Sequence, residues 1–243
     1  MLLMQRMQRG PKPRPQKVKV AELQQDAPEI MDVPYWVGPS PRVSLPASTL
    51  VMQGAHPYQA SHPFVRALNE GYERLAEFYR TRAPRNVREM YEVDVWGEPG
   101  EELPPWELPW LSRERRSPPG EKGLSADHGV SYYGPCSDEK VRLELQRLRS
   151  VVNAIKVDGF KPDTYGDIEG HFMRSGSEMR FFVRGGKHRA AALVFLGWRF
   201  IPVRMKEHWP RMIDRADSMS WPLVRAGIMS EKLALSIFDR YFK

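Results

Sequence analysis

Cysteine is almost absent. Cys136 stands alone among 243 residues, which excludes an internal disulfide and argues against a zinc site built on cysteines. Long hydrophobic runs are missing as well. The longest strongly apolar stretch, residues 190–198, is roughly half of what a bilayer span needs. The opening residues Met1 to Arg6 lack the apolar block of a secretory signal, so a cytoplasmic location with no membrane partner is expected. Acidic residues are missing from the first twenty positions, which carry Arg6, Arg9, Lys12, Arg14, Lys17 and Lys19. The other 223 residues hold 31 basic against 30 acidic groups, so the net charge of +7 belongs almost wholly to this arm. Such an arm can bind polyanions or simply solubilise the chain. The near-neutral remainder has no excess charge for coating a duplex, so DNA is a candidate partner but not the favoured one.

What is present is an ordinary globular composition, 41% hydrophobic and 28% charged, sufficient for a real core. Eight of the 22 prolines fall in the first fifty residues, so residues 1–50 are expected to be a basic, extended and largely disordered arm. The apolar cluster Val33-Pro34-Tyr35-Trp36-Val37 could still dock on the body. Residues 51–124 are expected to form a helical extension followed by a Pro-rich connector. Its helix has Pro63 near the start, apolar positions at Phe64, Leu68, Tyr72, Leu75 and Tyr79, and Pro84 at its end. The connector, residues 99–120, carries six prolines and cannot be regular structure. Trp106 and Trp110 are expected to pin it to the body rather than to bind a ligand.

Residues 125–243 carry the densest patterning. Ser137 is a plausible N-cap, with Asp138 and Glu139 suited to the positive end of a helix. Val141, Leu145, Leu148, Val152 and Ile155 form its apolar stripe, and Gly159 stops it. A short strand is expected over residues 171–174 and another over 179–184, with Met179, Phe181 and Val183 on one face. Residues 188–196 read as a buried helix ended by Gly197, and residues 200–205 as a strand. A last helix is capped by Ser230 and presents Leu233, Ile237 and Tyr241, with Phe238 flanking them. No internal repeat is evident.

The turn Gly185-Gly186-Lys187-His188-Arg189 joins a strand to a helix. Glycines let the backbone approach a ligand and permit positive φ, and the helix start offers unpaired N–H groups and the positive dipole end. Arg189 can grip two phosphate oxygens, and Lys187 acts as a point charge. Three cationic or near-cationic groups at one helix start repel one another, and a bound polyphosphate would relieve that repulsion. The spacing is not that of a Walker A loop. The plain alternative is a tight turn with solvated basic side chains.

Residues 182–193, Phe-Val-Arg-Gly-Gly-Lys-His-Arg-Ala-Ala-Ala-Leu, run on through Leu196-Gly197 to Ile201-Pro202-Val203. This stretch resembles the signature of the ParB/sulfiredoxin-like domain. The resemblance implies an α+β fold, a small mixed sheet flanked by helices, in which Gly185, Gly186, Lys187, His188 and Arg189 hold nucleotide phosphates. Members include chromosome-partitioning CTPases, sulfiredoxins and a free-serine kinase. Two departures matter. Lys187 stands where sulfiredoxins carry their cysteine nucleophile, so sulfinic-acid reduction is not expected. Only 38 residues follow Met205, too few for the helix-turn-helix module of partition proteins. The stretches Tyr132–Ser137, Gly166–Gly170, Trp221–Val224 and Phe238–Phe242 are similar to ParB-like proteins found with bacterial surface-polysaccharide genes.

Phosphoryl transfer needs a carboxylate beside the phosphates, as a base or a magnesium ligand. Asp167 and Glu169 are the first candidates for both roles, with His171 nearby as a third catalytic candidate; Asp214 and Asp217 come after them. A solvated turn is the plain alternative for Asp167 and Glu169. His128 and Ser137 are candidates for further nucleotide contacts. No Ser/His/Asp nucleophile arrangement and no H-E-x-x-H motif appears. Two functions follow as expectations. One is a nucleotide-dependent phosphotransferase, a small-molecule kinase using magnesium with ATP or CTP. The other is a ParB-like nucleotide-controlled switch that binds protein or DNA.

Overall fold

The computed structural model describes residues 21–22, 33–35, 40, 42–112, 124–130 and 132–243. The six arm cations, Trp36, Val37 and residues 113–123, which include the end of the connector, lie outside the described residues. The strands are β1 (Ala21–Glu22), β2 (Arg42–Pro46), β3 (Leu50–Met52), β4 (His56–Pro57), β5 (Glu169–Ser175), β6 (Glu178–Gly185), β7 (Phe200–Met205) and β8 (Met212–Asp214). The α-helices are α1 (Pro63–Glu70), α2 (Tyr72–Thr81), α3 (Val87–Tyr91), α4 (Asp138–Asp158), α5 (Pro162–Tyr165), α6 (Lys187–Phe195), α7 (Pro222–Arg225) and α8 (Glu231–Asp239).

The strands form one mixed sheet in the order β1-β2-β7-β5-β6-β3-β4, with β8 beside β5. Strands β5 and β6 are an antiparallel pair. One edge of β5 is divided between two parallel neighbours. Its first residues pair with β7, Glu169 opposite Arg204, and its later ones with β8, Phe172 opposite Met212. Successive side chains enter different cores, as strand geometry requires. Phe172, Phe181, Val183 and Val203 pack with Phe64, Leu75, Leu145, Leu148 and Leu193 from α1, α2, α4 and α6. Met173, Phe182 and Ile213 pack on the opposite face with Trp110, Trp221, Phe238 and Tyr241. Burial on both faces is why the run Phe181-Phe182-Val183 shows no polar alternation.

The fold differs from the sequence expectations in three places. The single helix expected from Pro63 is two, broken at Gly71, whose φ of 90° and ψ of −160° lie where glycine is essentially alone. The apolar spacing runs across this break, so periodicity could not reveal it. The arm boundary at residue 50 falls inside the body: every residue of β2 is buried, and the strand pairs with β7 along its full length. Residues 51–112 are not a separate extension either, because β3 pairs with β6 and α1 and α2 share a core with α4 and α6. The other elements match within a residue or two. Ser137 caps α4, accepting from the Lys140 N–H at 3.1 Å, and Ser230 caps α8. The described part of the connector is irregular, and Trp110 is its anchor, 1% exposed and edge-on to Phe182, Trp221, Phe238 and Tyr241.

Candidate functional site

Strand β6 delivers Gly185 and Gly186 to the start of α6. Gly186 is the N-cap residue, with φ of 75°, and no side chain caps the helix there. A Cβ on Gly186 would stand 3.0 Å from the Asp167 carbonyl oxygen and the Ile168 Cα, so the turn is pressed against the segment leading into β5. No acid occupies the first turn of α6. Residues 184–189 are all half-buried, open to solvent on one side.

The three basic residues of the turn diverge. Arg189 reaches back to the loop before β5 and donates to the carbonyls of Tyr165 at 2.5 Å and Asp167 at 2.9 Å. Burial pushes its pKa down from the ordinary arginine value, against the raising effect of Asp167 and Glu169. Lys187 lies over the Tyr132 ring, 4.2 Å from the centroid. His188 bonds through Nε2 to the Glu144 carboxylate and stacks on Phe64, with ring centroids 5.4 Å apart. Each group thus has a partner inside the protein. Their proximity in sequence does not require a polyphosphate to relieve repulsion, contrary to the sequence argument.

Glu144 was not among the sequence candidates. It lies on the second turn of α4, fully buried, and its other oxygen accepts from the equally buried Lys140 ammonium at 2.8 Å. Burial alone would raise the Glu144 carboxyl. His188 and Lys140 outweigh that by hydrogen bonding and charge and hold it at about 2. A signal for this pair exists in the sequence, since residues 140, 144, 148 and 152 continue the helical register of the apolar stripe. A Lys and a Glu four apart read by default as a solvated pair; only packing shows that they face inward.

The carboxylates expected to act as base and metal ligands are brought beside the turn, and both are engaged. Asp167 accepts from Arg42 Nε at 2.5 Å and from Arg204 at 3.2 Å. Arg42, itself 6% exposed, also binds Asp163 at 2.7 Å. The hydrogen bond that Arg42 donates to Asp167 is the largest influence raising the Arg42 pKa. Glu169, opposite Gly185 in the β5–β6 ladder, pairs with Lys206 at 3.3 Å. These engaged oxygens do not fit a magnesium site made by Asp167 and Glu169, and among the described residues no three His, Cys, Asp or Glu groups cluster as metal ligands. Asp214 is tied to Arg174 and caps the following turn through the Ala216 N–H.

His171 is not brought to the turn. It is fully buried on the opposite face, stacked on Phe182 at 5.1 Å and beside Trp209 at 6.4 Å. Burial, helped by the charge of Arg184, pushes its pKa down to about 3. A neutral imidazole sealed in an aromatic stack is a core residue, which corrects the catalytic assignment. His128 Nδ1 and Ser137 Oγ are 2.9 Å apart at the start of α4, one turn before Glu144's partner Lys140. The Cys136 thiol is pushed up to about 12 by burial, which suits packing and not nucleophilic chemistry.

Neither the protein-family models nor the curated proteins give a match to this chain.

Proposed function

We propose that this chain binds a nucleoside triphosphate, presented as its magnesium complex, and acts as a phosphotransferase on a small molecule, with a ParB/sulfiredoxin-like domain as its core. The observation that carries the reading is the opening of α6. A helix that begins on a glycine at positive φ, with no side-chain cap, no acid in its first turn and Lys187 and His188 at its mouth, suits an anion. The similarity of residues 182–203 to the family signature supports the same assignment. Within this reading the roles differ from those expected from the sequence. Lys187 and His188 face the phosphates, and Arg189 supports the seat by clamping residues 165–167. Asp167 and Glu169 hold the adjoining loop and strand through ion pairs.

The test is ligand-induced stabilisation. MgATP or MgCTP should raise the unfolding midpoint in proportion to the logarithm of its concentration. Lys187→Ala should weaken binding about tenfold, the scale of one charge-assisted contact. A full set of nucleoside triphosphates that leaves the midpoint unmoved would overturn the reading.

A further inference from the structure

The buried chain Lys140–Glu144–His188 is not explained by phosphate binding alone. Removing two ionic side chains from water is expensive, and a hydrophobic pair of similar volume often serves stability as well or better. Glu144 and Lys140 are 0% exposed, yet Glu144 extends its second oxygen to a histidine whose side chain is 24% exposed at the start of α6. The arrangement dictates a tautomer. An ionised carboxylate only accepts, so Nε2 of His188 must carry the hydrogen that bonds to Glu144. In the neutral ring Nδ1 then holds the lone pair. Phe64 covers one side of the ring at 5.4 Å and limits its rotation.

We propose that His188 and Glu144 are the proton-handling pair of this site, His188 receiving a proton on Nδ1 and Glu144 acting as the positioning residue. Lys140 fixes Glu144 in turn. The inference rests on the phosphate reading above and adds to it the group that moves protons. When a polyphosphate docks, Nδ1 takes a proton from solvent and the imidazolium faces the added negative charge. In transfer, the acceptor oxygen bonds to phosphorus and loses its proton to water. The bond from phosphorus to the leaving diphosphate breaks, and Nδ1 gives its proton to the departing oxygen, which returns the ring to its neutral form. The charged and titratable groups around His188 are Glu144, which it contacts, Lys140 bonded to Glu144, and Lys187 and Arg189 on its own helix. The Cys136 thiol lies near Lys140 and Glu144, and His62 lies beyond Phe64. Burial holds His62 neutral, and Arg189 is turned to the carbonyls of residues 165 and 167. Glu144 is thus the anion that this ring contacts.

Two measurements test this. Nitrogen NMR of the histidine rings in the free protein reads the tautomer without any ligand. Neutral His188 should be protonated at Nε2, and E144Q should relax that preference. The double variant K140M/E144Q, which removes both buried charges together, serves if E144Q does not fold. A neutral ring protonated at Nδ1 in the unaltered protein, or an unchanged preference in these variants, overturns the pair. Calorimetry with pyrophosphate in buffers of different ionisation heat then reads proton uptake. Uptake should accompany binding and be lost in H188Q, which keeps a partner for Glu144 but cannot accept the proton. Equal uptake in H188Q overturns the role of His188. Failure of pyrophosphate to bind the unaltered protein sinks the phosphate reading and the proton role built on it, whereas the tautomer result stands independently.

Discussion

Arg189 and Asp167 show how position in the fold reassigns chemistry at the level of single residues. Arg189 resembles a phosphate ligand in sequence, but it spends two donors on the backbone carbonyls of Tyr165 and Asp167. Arg189→Ala should therefore lower stability by roughly 1.5–3 kcal/mol, the scale of hydrogen bonds from a charged group. Urea unfolding measures this, and Arg189→Lys should recover only part of it, because an ammonium cannot match the two-pronged geometry. Unchanged stability in Arg189→Ala would mean that the guanidinium is free for a ligand after all. Asp167→Asn should likewise act first on the fold. It leaves the nearly buried Arg42 with only the exposed Asp163, at a cost on the order of 3 kcal/mol for breaking such a pair. A variant with full stability and lost turnover would return Asp167 to the role of base.

Elements show where periodicity succeeds and where it stops. The stripe of α4 and the face shared by Met179, Phe181 and Val183 in β6 are placed correctly, because positions that share a face are what those spacings encode. The break between α1 and α2 has a different origin. Gly71 adopts a backbone conformation that other residues avoid, and beyond its own chain neighbours nothing lies within 4 Å of where its Cβ would be. Gly71→Ala should thus cost about 1–3 kcal/mol from backbone strain alone. A chemical denaturation midpoint that does not move would show that the two helices can fuse without penalty.

Across the whole molecule, acid sensitivity follows from burial. His56 and His171 are each held near 3 by burial, with Arg82 and Arg184 adding to the effect. The unfolded chain binds protons at these sites from about pH 6.5 downward, whereas the folded chain binds them only near 3. Stability should be full above pH 6.5 and fall as pH drops from there toward 3, by up to about 1.4 kcal/mol per unit for each histidine. Glu144, held at about 2, adds a further loss below about pH 4.5. His171→Leu should flatten the upper part of this slope, since neither ring nitrogen of His171 has a hydrogen-bond partner to forfeit. An unaltered pH profile in that variant would contradict the assignment. Charge distribution gives a second whole-molecule test. Removing residues 1–20 deletes six cations and leaves β1 and β2 intact. Any duplex affinity should fall with it, together with a salt slope of about −0.9 per phosphate contacted. Tight, nucleotide-dependent DNA binding by the shortened protein would favour a switch over a phosphotransferase.

The sequence by itself determined the elements around the turn. Ser137, Gly159, Gly186 and Ser230 mark helix ends through local backbone and side-chain bonding, which needs no distant partner. It also determined the absence, among the described residues, of a helix long and apolar enough to cross a membrane. Tertiary structure alone decided which charges meet. Arg42 stands 125 residues from Asp167, and Glu144 stands 44 from His188. Whether a carboxylate faces solvent, a guanidinium or an imidazole depends on how strands and helices from different parts of the chain are stacked. Residues 42–46 were grouped with the arm because eight prolines fall in the first fifty residues, and they became a buried strand because β7 offered an open edge for them to pair with. Coulomb and hydrogen-bond energies act over a few ångströms of space regardless of sequence separation, so the chemistry of this site was settled only when the chain closed on itself.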